Sequence, residues 1–289
     1  MSQTPSPKAA SAPVRLGTFA GVFTPSLLTI LGIILFLRTG YVVGSAGLGK
    51  ALLIIAIANT ISVLTSISLS AIATSLRVKP SGDYYVISRT LGPAFGGALG
   101  SVLFLSQAVS IAFYAIGFGE ATAALVPGTE AWLPQAIAAA AVAGLFVLAW
   151  AGSDWATRCQ YVAMAVLAAA IVSFFVGGAT HFSDEHFAAS WTRQGDVPFW
   201  VIFAIFFPAV TGFTQGVNMS GDLQDAGRSI PKGTFLAVGI SAAVYFAVAF
   251  VFAGTMSLDA LSSDYSAMRT VSQWGSAPTH RSTTHRAES

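Results

Sequence analysis

Two stretches of this 289-residue chain place hydroxyls and freed backbone oxygens where a bare ion could use them. The first contains Thr24-Pro25 and then Thr29-Ile30-Leu31-Gly32; the second is Phe207-Pro208-Ala209-Val210-Thr211-Gly212. Proline removes a backbone donor and clashes with the preceding turn, and glycine tolerates unwound dihedrals. Inside an apolar helix such interruptions free carbonyls that must find a partner. A C-terminal half-helix end or a bare carbonyl suits a cation, and an N-terminal end suits an anion. Either break alone reads equally well as a packing kink. Two breaks, each beside a threonine hydroxyl, point to a binding site of the kind found in membrane carriers. Arg38, Glu120 and Arg158 lie near the apolar runs, and all three are expected near interfaces. Coordination by carbonyls, hydroxyls and helix ends is therefore expected, without an interior carboxylate. No interior nucleophile–base set or metal cluster is visible, so an enzyme is not expected and no cofactor is implied. His181 and His186 flank Asp184 and Glu185; a solvated loop is the plainer reading than a metal site.

The surroundings of these breaks must be lipid. Only 9% of residues are charged and 54% are hydrophobic, whereas a soluble domain carries about 25% charged residues. Mean hydropathy is +0.71. This excludes a disordered chain, a nucleic-acid binder and an ordinary soluble enzyme. A helix needs about 20 apolar residues to cross the hydrocarbon core, and seven runs qualify: Phe19–Leu37, Leu48–Ser75, Phe95–Val126, Trp132–Trp150, Trp155–Gly178, Pro198–Met219 and Gly233–Met256. The runs are continuous rather than alternating, which argues against a β-barrel. With the amino terminus inside, Lys8, Arg15, Arg77, Lys79, Arg89, Arg158, Arg228 and Lys232 are cytoplasmic, against Arg38, Lys50, Arg193 and Arg269 outside. That asymmetry follows the positive-inside rule. The expected protein is an integral membrane protein of the inner or plasma membrane, with a cytoplasmic amino terminus. Residues 1–17 read as a short disordered tail, 18–257 as the membrane domain and 258–289 as an extramembrane polar tail. The lone Cys159 allows no internal disulfide.

Smaller signals have plain readings. Gly92, Gly96 and Gly100 are spaced for close helix approach. Asn218, Ser220 and Asp222 read as caps after the sixth span, and Pro231 as a first-turn residue of the seventh helix.

The broken helices also carry a family resemblance. Gly21-Val-Phe-Thr-Pro-Ser-Leu-Leu-Thr-Ile-Leu-Gly-Ile-Ile-Leu-Phe-Leu-Arg38 resembles the first helix of cation–chloride cotransporters. Ser81-Gly-Asp-Tyr-Tyr-Val-Ile-Ser-Arg-Thr-Leu-Gly-Pro93 is similar to their loop between helices two and three. Phe203-Ala-Ile-Phe-Phe-Pro-Ala-Val-Thr-Gly212 and Asn218-Met-Ser-Gly-Asp-Leu223 resemble their sixth helix, and Ile230-Pro-Lys-Gly-Thr234 the entry to the seventh. The match runs from about Gly17 to about Trp274. Much of it is shared more loosely with the amino acid–polyamine–organocation superfamily.

The resemblance implies an all-α, LeuT-like fold of two inverted five-helix repeats, with the first repeat complete and two helices of the second present. It implies chloride-coupled symport of potassium, with or without sodium. Potassium falls on Thr29, Ile30, Tyr114, Pro208 and Thr211. One chloride falls on Gly32, Ile33 and Ile34, a second on Gly212, Phe213 and Thr214, and sodium begins at Leu28 and Leu31. Two positions depart from the family: Thr29 stands where asparagine is usual, and Leu31 where sodium-using members have tryptophan. Cation choice stays open at these positions. In superfamily members that carry amino acids, the substrate carboxylate and amine would meet the same two backbones. Partners are thus inorganic ions or amino acids and the bilayer, with a homodimer as a further candidate and no nucleic acid. After Trp274 the chain is polar where the family enters its eighth helix, and this stretch resembles an aberrant or truncated end. The expectation is a chain inactive in coupled transport by itself. A permease of the superfamily, or a non-transporting partner of a full-length carrier, are the other readings.

Overall fold

The computed structural model describes residues 15–75, 82–123, 125, 130–151, 153–192, 197–264 and 266–272. Among these the chain is helical, and seven helices are long and apolar enough to cross a membrane: Phe19–Ala46, Leu48–Ser75, Pro93–Ala123, Leu133–Trp150, Arg158–Thr180, Phe199–Asn218 and Ala226–Thr255. The seven expected spans are all present. The first runs on to Ala46, which puts Arg38 inside the helix rather than just past its end.

The first span is three pieces: a π-type turn Phe19–Phe23, α1 (Thr24–Ile30) and α2 (Ile33–Ala46). Next come α3 (Leu48–Ser75), the short α4 (Gly82–Leu91), α5 (Pro93–Ala123), α6 (Leu133–Ala151), α7 (Ser153–Thr180) and α8 (Asp184–Thr192). The sixth span is α9 (Phe199–Phe206), 3-10 turns Phe207–Val210 and Gly212–Thr214, and α10 (Gln215–Asn218). The long α11 (Ala226–Thr255) is followed by α12 (Leu258–Ser263) and α13 (Ala267–Val271).

The core gathers the two broken spans against α3 and α11. Leu35, Ile54, Ile55, Ile202, Phe206, Tyr245 and Phe252 are all fully buried there. By contrast, α5 and α6 pack on each other and expose Phe104, Leu105, Val109, Phe146 and Val147 outward. Such faces are stable in lipid, where apolar exposure carries no penalty and intrahelical bonds satisfy the backbone.

Four local readings meet the structure differently. The amino-terminal stretch is described from Arg15, and there Leu16 pairs as a β-bridge with Leu223, its amide donating to the Asp222 carbonyl at 2.7 Å. Residues 1–14 lie outside the described part. The seventh helix starts at Ala226, not Gly233, so Pro231 sits inside it and is not a first-turn residue. Its cap is Asp225, whose carboxylate accepts from the Arg228 amide at 3.2 Å; the sixth span ends in α10 with Met219 as its C-cap, so Asn218 lies inside α10 and Ser220 and Asp222 in the 3-10 turn beyond it. The segment after 257 is not a free polar tail as far as Ser272. Leu258, Leu261, Ala267, Met268 and Val271 are buried, and α12 lies across α2 at Gly44, where a Cβ would stand 2.8 Å from the Leu258 carbonyl oxygen. Residues 273–289, including the stretch after Trp274, lie outside the described residues. Among the spaced glycines, Gly92 takes φ +98° at the α4–α5 turn, and Gly100 lets the Tyr84 ring approach to 3.1 Å of a would-be Cβ. These serve packing.

Candidate ion site at the two helix breaks

The first break is narrow. Leu31 leaves the helix at φ −84°, ψ 33°, and Gly32 is extended at φ −78°, ψ −155°. Two helix ends of opposite sense therefore meet within two residues. The last carbonyls of α1 carry the negative end of its dipole, and the first amides of α2, at Ile33 and Ile34, carry the positive end. Among the described residues, no side chain caps α2 at Gly32. The second break is longer, with 3-10 turns from Phe207 to Thr214 in place of an α-helix. Pro208 begins it, since proline cannot supply the amide that a continuous helix needs.

The breaks lie side by side. A Cβ at Gly212 would stand 2.7 Å from Thr29 Cβ and 3.0 Å from the Thr29 carbonyl carbon. Only glycine permits that approach. Three hydroxyls hold the freed carbonyls. Ser26 donates to the Phe213 carbonyl at 3.1 Å, and Ser62 of α3 donates to the Val210 carbonyl at 2.9 Å. The phenol of Tyr245, fully buried on α11, donates to the Ile30 carbonyl at 2.7 Å and lies 3.4 Å from the Ala209 carbonyl. One side chain thus touches both breaks. The break threonines bond their own turns: Thr29 donates to the Pro25 carbonyl at 2.7 Å and Thr211 to the Pro208 carbonyl at 2.8 Å. Each hydroxyl oxygen keeps lone pairs for a cation.

Beside the breaks is a cavity of about 570 Å³ whose wall includes Ile34, Arg38, Tyr114, Pro208 and Thr211. Four expected residues, Ile34, Tyr114, Pro208 and Thr211, therefore share one wall. The Tyr114 ring also flanks the first break, 3.4 Å from a would-be Cβ at Gly32. Thr29, Ile30, Gly32 and Ile33 sit at the break itself rather than on this wall, and Gly212 and Phe213 are buried between the breaks. Leu28 and Leu31 do not line the cavity; Leu31 is buried in the core. Sequence reasoning missed Tyr245, Ser26, Ser62 and the place of Arg38 in the wall. A tyrosine or serine inside an apolar helix signals a buried partner but does not say which.

Helix breaks facing a cavity between apolar spans are the architecture found in broken-helix membrane carriers. The family model described as Amino acid permease matches residues 21–281, and the chain belongs to that family. It is similar to solute carrier family 12 member 2 of Squalus acanthias, with 38% identity over 251 residues, 80% of this chain and 21% of that protein. Solute carrier family 12 member 1 of Homo sapiens is 35% identical over 267 residues, 86% of this chain and 24% of that protein. Member 8 of Mus musculus is 34% identical over 264 residues, 88% of this chain and 37% of that protein. The chain spans between 21% and 37% of the length of these relatives. The resemblance drawn from the break motifs agrees with them at family level.

Proposed function

We propose that the paired breaks form the ion site of a chloride-coupled cation symporter, with potassium as the cation and sodium left open. The observation that carries this reading is the meeting of the breaks: carbonyls of Ile30 and Ala209 within reach of one phenol, beside the wall of Tyr114, Pro208 and Thr211. A cation would take the Ile30 and Pro208 carbonyls with the hydroxyls of Thr29, Tyr114 and Thr211. Chloride would take the uncapped α2 amides at Gly32, Ile33 and Ile34, and a second would take the amides of Gly212, Phe213 and Thr214. A sodium ion would begin at the carbonyls of Leu28 and Leu31. Ions of opposite sign would then sit on opposite helix ends, each lowering the electrostatic penalty of the other. The amino terminus is assigned to the cytoplasm on the distribution of basic residues.

The test is uptake by proteoliposomes holding a chimaera that completes this chain with the remaining helices of a solute carrier family 12 relative. Radioactive rubidium, standing in for potassium, should enter only with chloride present and should not be displaced by amino acids. Replacing Tyr114 with phenylalanine should lower apparent rubidium affinity about tenfold, the loss of one charge-assisted ligand worth roughly 1.5 kcal/mol. Rubidium-independent uptake of a labelled amino acid would instead support the permease reading.

A further inference from the structure

Tyr245 belongs to the break region but to neither the cation nor the anion set. It sits on α11, fully buried, with its ring edge-on to Phe206 of α9 at 5.2 Å between centroids and 82° between planes. Its hydroxyl has one proton. That proton goes to the Ile30 carbonyl at 2.7 Å, and the Ala209 carbonyl is held at 3.4 Å as a second, weaker acceptor. Ile30 ends α1; Ala209 is in the first 3-10 turn of the sixth span. The phenol therefore spans the two breaks from behind, while Tyr114, Pro208 and Thr211 face the cavity.

We infer that Tyr245 is a positioning residue that sets the separation of the two broken backbones and thereby the size of cation they accept, an inference that rests on the ion-site reading above. The physical ground is that carbonyl ligands select among alkali ions through their number, field strength and freedom to move. Backbones freed from helical bonding have that freedom unless something removes it. Ser62 fixes Val210 and Ser26 fixes Phe213, but among these three hydroxyls only Tyr245 reaches carbonyls of both breaks. Its rigid ring, held by Phe206, keeps Ile30 and Ala209 at one spacing. Without the hydroxyl, the two backbones can close on a smaller cation. Tyr245 does not touch the ion; it acts through Ile30.

The experiment is rubidium binding to the purified full chain in lipid nanodiscs, displaced in turn by potassium and by sodium. Replacing Tyr245 with phenylalanine keeps the ring and removes only the oxygen. The sodium-to-potassium ratio of displacing concentrations should fall at least fivefold toward unity, while chloride dependence is retained. A merely structural role would lower the bound fraction and leave the ratio alone, and that result overturns the inference. Replacing Phe206 with leucine leaves the hydroxyl but removes the ring edge that orients it, so the ratio should fall in the same direction by a smaller factor. If Y245F does not fold, an unchanged ratio in F206L overturns the inference by itself. Wild-type chain that binds no rubidium defeats the ion-site reading and this inference together. Wild-type binding with unchanged ratios in the variants defeats only the role of Tyr245.

Discussion

Replacing Gly212 with alanine should separate the two breaks. The added Cβ would stand 2.7 Å from Thr29 Cβ and 3.0 Å from the Thr29 carbonyl carbon. Carbon atoms rest at roughly 3.5–4.0 Å, so the backbones must part by about 1 Å. The obstacle includes main chain, which cannot rotate away as a flexible side chain can. Overpacking of this kind costs about 1–3 kcal/mol. The displaced carbonyl and amide ends would also lose the geometry an ion needs, so rubidium affinity should fall tenfold or more. The assay is thermal unfolding of purified protein in one detergent, run beside rubidium binding in nanodiscs. Gly144 on α6 is the control, because a Cβ there meets nothing within 4 Å. G144A should leave both readings within error, or raise stability by about 0.5–1 kcal/mol through helix propensity. Equal behaviour of G212A and G144A would refute the claim that the breaks are in contact.

Two further outcomes follow from the packing. Replacing Ser62 with alanine leaves the Val210 carbonyl without its 2.9 Å partner, so unfolding should come about 1–3 kcal/mol earlier with the seven-span topology unchanged by protease mapping. Replacing Gly44 with alanine places a Cβ 2.8 Å from the Leu258 carbonyl oxygen. α12 should then lift from α2, read as faster hydrogen exchange confined to 258–271.

Much of this architecture is legible locally. Hydropathy finds the spans because lipid tolerates no extended polar run, and Pro208, Gly212 and Gly32 mark the breaks because their chemistry forbids or releases helical bonding. The cross-ties are not legible. Tyr245 and Ile30 are 215 positions apart, and the apolar run around Tyr245 gives no hint of which carbonyls its phenol meets. Leu16 looks like the end of a polar tail until Leu223 supplies a strand partner. The stretch after 257 looks polar because its buried residues, Leu258, Leu261, Ala267, Met268 and Val271, are thinly spread at helical spacing among serines and aspartates. Pro231 shows the opposite error: the first-turn preference of proline gave way to a helix that Asp225 starts earlier.

The most direct test of the central claim is equilibrium binding of radioactive rubidium to the wild-type chain in nanodiscs, with chloride exchanged for gluconate. The account predicts saturable binding that potassium displaces, that tightens with chloride and that amino acids leave untouched. Absence of saturable binding, or displacement by an amino acid with no response to chloride, would contradict it.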